Sequence, residues 1–171
     1  MLNKLLGGRQ RPLGHGRELA AYREQLTSRT TRIDEVLGRV ADVIDALRRR
    51  DADIDVSLEQ LDAAEAELDT LAEELRDILA PEALHGLHAD YEANLERALR
   101  GIVTVERGCG ITRMQHRPPE DEEPFTYYKR GYLNVIHSRM RMAELVEVLA
   151  GWEPGKPAEA SVATRLNRDQ L

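Results

Sequence analysis

Apolar residues recur along this chain in alternating steps of three and four, the spacing that gathers them on one side of an α-helix. The first run is Leu19, Tyr22, Leu26, Arg29, Ile33, Val36, Val40, Val43 and Leu47, widened by Leu37 and Ile44, and Arg29 is its one polar member. A second run reads Ile54, Leu58, Leu61, Glu65, Leu68, Ala72, Leu75 and Leu79, flanked by Leu71 and Ile78. The third is Leu84, His88, Tyr91, Leu95, Ala98, Ile102 and Val105, and the fourth is Phe125, Tyr128, Tyr132, Val135, Arg139, Met142, Val146 and Leu149.

Between the first two runs, three arginines at 48–50 suit the negative end of a helix, and Ser57 with Gln60 forms a capping box that Val56 and Leu61 can staple. Pro81 ends the second run and opens the third, because proline is tolerated in a first helical turn and breaks an interior one. Gly108, Gly110, Pro118, Pro119 and Pro124 mark a connection of roughly 15 residues, longer than most helix–helix links. The pattern predicts an all-α protein, an antiparallel four-helix bundle with long, coiled-coil-like helices over about 17–50, 58–80, 82–107 and 125–150. A basic arm, 1–16, precedes this single domain (17–151), and a loose tail, 152–171, follows, with Trp152 expected to fold back on the bundle end. Helix one, at about 50 Å, is long enough to overhang its neighbours. That overhang predicts self-association partly through Leu26, Ile33, Val36 and Val40.

Composition agrees with helix. Leu, Ala, Glu, Asp and Arg abound while aromatics make up 4% of the 171 residues, and straight side chains lose little freedom in a helix. The single cysteine, Cys109, rules out an internal disulfide framework and any multi-thiolate zinc site. Charge is uneven: residues 1–50 carry 11 Lys/Arg against 6 Asp/Glu, and residues 51–100 carry 3 against 15. With a net charge of −7, general nucleic-acid binding is disfavoured, since it depends on neutralising many phosphates. Glycines 7 and 8 cut the apolar start (Leu2, Leu5, Leu6) below the length of a signal core or a membrane span. The expectation is a soluble, cytoplasmic protein whose basic arm makes at most a weak peripheral membrane contact.

Five sets of residues are candidates for chemistry. Glu82 and His85 have the spacing used by di-iron bundles, but the second pair such sites require is missing. His85 and His88 stand one turn apart, with Glu74, Asp77 and Glu144 expected near their level. A mononuclear metal site and simple satisfied or solvent-facing histidines are the alternative readings. Arg29, Glu74, Asp77 and His88 fall at one level and read as a polar layer fixing helix register. Cys109 lies near Arg107 and Arg113, which would favour a thiolate, yet no local His–acid pair completes a nucleophile. The stretch Phe125–Met142 holds four of the seven aromatics. Its seam residues are Phe125, Tyr128, Tyr132, Val135 and Met142. The opposite face presents Tyr127, Arg130, Asn134, His137 and Arg141, a donor stripe that Arg113 and Arg117 can reach and that suits an anion or an acidic partner.

The segment APEALHGLHADYEANLERAL, 80–99, resembles a pattern in helical proteins of bacterial cell envelopes, in which a proline opens a helix bearing Leu-His and then Tyr. The resemblance implies a helical hairpin and carries no evidence of an activity. No phosphate loop, zinc-protease helix or Ser/His/Asp motif is present. The expected function is a non-catalytic structural or protein-interaction role, with self-association and no cofactor. A ligand- or anion-binding module on helix four is the alternative, and a metal-dependent bundle enzyme is third.

Overall fold

The structure is a computed structural model that describes residues 14–114 and 122–154. Four helices make up the fold: α1 (Gly14–Arg49), α2 (Ile54–Arg76), α3 (His85–Arg113) and α4 (Pro124–Gly151), with a short 3-10 turn over Glu82–Leu84 before α3. Most of the basic arm, residues 155–171 of the tail and positions 115–121 lie outside the described residues.

The α1–α2 turn is tighter than the capping-box reading predicts. Arg50 adopts φ 61°, its N–H donates to Leu47 O, and the Asp51 N–H reaches back to Ala46 O, which together close a Schellman motif. An arginine in this left-handed conformation costs about 1 kcal/mol relative to glycine. Asp53, not Ser57, caps α2: its carboxylate accepts from Asp55 N and Val56 N. Ser57 sits inside the helix and is buried, its hydroxyl donating to Asp53 O. α2 ends at Arg76, so Leu79 is 92% exposed instead of extending the stripe. α3 runs through Gly108 and Gly110 to Arg113, which shortens the long connection by nearly two turns.

Ring-like packing buries the stripes. α1 packs on α2 and α4, and α3 packs on α2 and, most extensively, on α4. Neighbours run in opposite directions: Arg32 meets Glu74 while Arg39 meets Glu67, and Arg97 meets Asn134 while Gly108 faces Tyr127 and Tyr128. Leu26, Ile33, Val36 and Val40 are all at most 1% exposed within one chain. The self-association surface expected of them is therefore already occupied by the protein's own helices. Trp152 is buried, and at that end Arg23 donates from Nε to Leu149 O (3.1 Å) and from Nη2 to Trp152 O. Carbonyls that the end of α4 leaves without helical partners are thereby satisfied.

α3 and α4 cross where side chains are smallest. A Cβ on Gly131 would stand 2.6 Å from Gly101 O and 2.3 Å from Val105 Cγ2, and one on Gly108 would stand 2.8 Å from the Tyr128 ring. Glycine at these positions admits close backbone approach, and the tyrosines fill the space beside it.

Candidate functional site

The buried face of α4 is Tyr127, Tyr128, Gly131, Val135, Ser138, Met142, Leu145, Val148 and Leu149. It is rotated from the predicted seam, so the two aromatics at its start exchange roles. Tyr127 is 6% exposed, whereas Phe125 is 50% exposed. The guanidinium groups of Arg107 and Arg130 lie 5.3 and 5.9 Å from the Tyr127 ring centroid, within range of cation–π attraction.

The remaining donor-stripe residues are separated by their partners. Arg130 gives Nη2 to both carboxylate oxygens of Glu122 (3.1 and 3.0 Å), and Arg141 bonds Glu144 at 3.0 Å with Asp90 3.9 Å away. Asn134 Oδ1 accepts from Arg97 Nε at 3.3 Å, His137 is exposed, and Arg113 pairs with Asp55 at 2.9 Å. Arg117 lies outside the described residues. An anion would have to displace an internal carboxylate at Arg130, Arg141 or Arg113.

Of the four polar-layer residues, Arg29 and Glu74 meet and the other two lie apart. Arg29 Nε is 3.4 Å from Glu74 Oε2, with side-chain exposures of 29% and 32%. This nitrogen is closed off from solvent yet makes no hydrogen bond, while Glu74 takes two bonds from Arg32 Nη1 at 3.0 and 3.1 Å. Asp77 is the exposed C-cap of α2. His88 is 9% exposed, with Nδ1 3.1 Å from the Tyr22 hydroxyl and Nε2 3.8 Å from Glu92. Burial raises the Tyr22 phenol well above its ordinary value, so it remains protonated. Because Arg32 continues to satisfy Glu74, Arg29→Ala should lower the unfolding free energy by less than about 1 kcal/mol, the range of a partly solvated pair. Urea melts of parent and variant measure this, and a loss above about 3 kcal/mol would mean that the pair behaves as a buried one.

His85 turns back to its own helix start, with Nε2 2.9 Å from Ala80 O, and so does not share a pocket with His88. Among the described residues no group of three or more His, Cys, Asp or Glu side chains converges as metal ligands would. Cys109 is buried, and burial raises its thiol above the ordinary range; the bond with Tyr128 acts in the opposite direction. The thiolate that Arg107 and Arg113 were expected to favour is therefore opposed by desolvation.

A different set of residues comes together at the end formed by the α1–α2 turn, the last turn of α3 and the first turn of α4. A cleft of about 400 Å³ opens there between Leu47, Ala52, Ile54, Thr112, Phe125 and Tyr128. Thr112 and Tyr128 bond through their hydroxyls at 2.8 Å, holding the floor, and burial pushes the Tyr128 phenol up to about 12. The Asp55–Arg113 pair ties α2 to α3 at its edge. Val56 and Met114, which follow the two members of that pair in sequence, are 52% and 51% exposed, and Phe125 is 50% exposed, so three exposed apolar side chains belong to this end. Arg50, Arg113 and Arg130 and the acids Asp51, Asp53, Glu122 and Glu123 belong to the same end. Sequence periodicity assigned Phe125 to the seam because it stands three residues before Tyr128; Val56 was read as half of a staple with Leu61 but is exposed while Leu61 is buried, and nothing local marked Met114.

In comparisons with known proteins, no family model, no curated protein and no solved structure matches this chain. The likeness of residues 80–99 to envelope proteins accordingly adds nothing beyond the hairpin it implies. No helix among the described residues is long and apolar enough to cross a membrane.

Proposed function

We propose that this protein is a non-catalytic helical interaction module that self-associates end to end through the Val56–Met114–Phe125 rim. The observation that carries this reading is three large apolar side chains, each half exposed or more, at one end of the bundle, where Phe125 lines a cleft. Exposed apolar groups are ordinary when scattered, but gathered on a concave surface they favour a partner that removes them from water. An aromatic anchor beside arginines is also the composition of interface hot spots. A second copy is the partner this surface suits best. A two-fold contact requires self-complementary charge, and this end carries cations and acids side by side, so that one copy's Arg50 can meet the other's Asp51.

Sedimentation across a concentration series tests the proposal. The parent should gain mass with concentration, whereas Phe125→Ser combined with Met114→Ser should stay monomeric with little change in melting, because both side chains already face solvent. A parent that remains a monomer throughout, or a variant that associates as the parent does, would remove this surface from consideration.

A further inference from the structure

Residues 51–75 contain ten acids and no Lys, Arg or His, so the cations that neutralise this part of α2 come from other helices. On its α1 side Arg39 meets Glu67, and Arg29 and Arg32 meet Glu74. On its α3 side Arg113 meets Asp55 at 2.9 Å. Two turns in from that pair, about 10 Å along the antiparallel helices, Asp62 of α2 comes opposite Glu106 of α3. There the seam has no cation: among the described residues none forms an ion pair with Asp62, Glu65 or Glu106.

A proton closes the seam at this point. Glu106 and Asp62 lie within hydrogen-bonding reach, and two carboxyl groups bond only when one of them carries the hydrogen. Glu106 is the one that holds it. Its Oε1 is shut off from solvent without a partner, and its carboxyl is pushed up to about 7 by burial first and then by the charges of Glu65 and Asp62. Glu65, half-buried beside it, is raised in the same sense by burial, Asp69 and Asp62. On α3 itself Cys109, one turn away, is raised chiefly by burial, with the charge of Glu106 acting in the same direction, while Arg107 turns to Tyr127 of α4. The groups facing Glu106 are thus acids and a thiol, and its ionisation sets a further negative charge against them.

As pH rises through about 7 the shared proton leaves, and a hydrogen bond becomes a repulsion between carboxylates. What then ties the start of α2 to α3 is the Asp55–Arg113 pair, whose side chains are 70% and 57% exposed, a solvated contact that contributes little. The α2–α3 seam is also the least extensive of the four around the ring. Val56 and Met114 follow Asp55 and Arg113 directly in sequence, so the separation of these two exposed side chains is set by how the first half of α2 sits on the last turns of α3.

We infer that Asp62, Glu65 and Glu106 form a proton-operated latch: protonated, it seats the first half of α2 on α3 and holds Val56 and Met114 at their spacing on the end face; ionised, it lets the start of α2 open. The latch stands on the α2–α3 seam alone, and its effect on association, which acidification should strengthen, rests on the end-face reading above.

Amide hydrogen exchange of the full chain at pH 6 and pH 8, with each rate divided by the intrinsic rate at that pH, tests the latch. Protection over residues 55–66 should fall about five- to tenfold from pH 6 to pH 8, since the closed seam loses most of one bound proton across that interval. Amides at the Gly101–Gly131 crossing should keep theirs. Glu106→Gln, which cannot ionise, should show equal protection at both pH values. Asp62→Asn, which offers an N–H to the ionised carboxylate, should also lose most of the fall. Melting curves verify that each variant is folded. Equal protection of the parent at the two pH values, or a fall that persists in folded Glu106→Gln, would overturn the latch. Sedimentation under the same conditions reads the coupling: the parent should associate more strongly at pH 6, and Glu106→Gln equally at both. Association that ignores pH while exchange responds to it would overturn the coupling. A parent that is a monomer at both values counts against the end face, and the exchange result still decides the latch.

Discussion

Gly131→Ala will destabilise the protein by about 3 kcal/mol or more, at the upper end of what overpacking costs. The sign makes this result informative. On an open helix the same replacement would be favourable by about 1 kcal/mol, because alanine has the higher helix propensity. At Gly131 the added methyl meets Gly101 O at 2.6 Å and Val105 Cγ2 at 2.3 Å, and the first of these is backbone. α3 and α4 must then separate along the most extensive interface of the bundle. Val105→Ala in the same chain removes the side-chain half of the clash and leaves the carbonyl half, so the double variant should recover part of the loss and remain below the parent. Chemical denaturation of the three proteins measures both steps. A Gly131→Ala protein as stable as the parent would mean that the helices do not cross this closely.

The crossing also explains where sequence reading succeeded and where it failed. Leu19 to Leu47 and Leu84 to Val105 were legible because branched and aromatic side chains at steps of three and four must leave water, and almost all of them are buried. α4 was read about a residue out of phase because the middle of its buried face is Gly131 and Ser138, which carry little or no apolar surface. Gly108 and Gly110 looked like breakers for the same reason. A glycine chosen so that Tyr128 can approach is indistinguishable, in a single sequence, from one chosen for a turn. Asp53 outcompeted Ser57 as the N-cap because the Schellman turn at Arg50 ends α1 early enough to start α2 a full turn sooner. Among the candidate-site residues, identity was legible, and partnership only in part: Arg141 meets Glu144 one turn on and Arg29 meets Glu74 of α2, as their spacing and level suggest. Arg130, Arg141 and Arg113 stood out as cations, but the acids that occupy them come from 122, 144 and 55, and the last of these is fixed only by tertiary packing.

The stability of this protein should carry an inverted pH dependence from Glu106. The side chain is half-buried on α3 against Asp62 and Glu65 of α2, and one carboxylate oxygen is enclosed without a hydrogen-bond partner. Burial first, and then the charges of Glu65 and Asp62, push its carboxyl up to about 7 from the ordinary 4.5. Between those values the folded protein keeps a proton that the unfolded chain releases, so the contribution is fully present below about pH 4.5 and is lost as pH rises through about 7. Asp34 acts in the opposite sense: its carboxyl is lowered, and its contribution disappears on acidification. The total profile therefore mixes both groups, and the informative quantity is the difference between parent and variant at each pH. Glu106→Gln retains an amide N–H for Asp62 and removes the charge. It should match the parent near pH 4.5 and exceed it by about 1–3 kcal/mol at pH 8, given about 1.36 kcal/mol for each unit of displacement and some solvent relaxation at a half-buried site. Urea denaturation across that range measures the difference. A constant offset at every pH would trace the effect of Glu106→Gln to packing, and equal stability at pH 8 would mean that the carboxylate is solvated there at no cost.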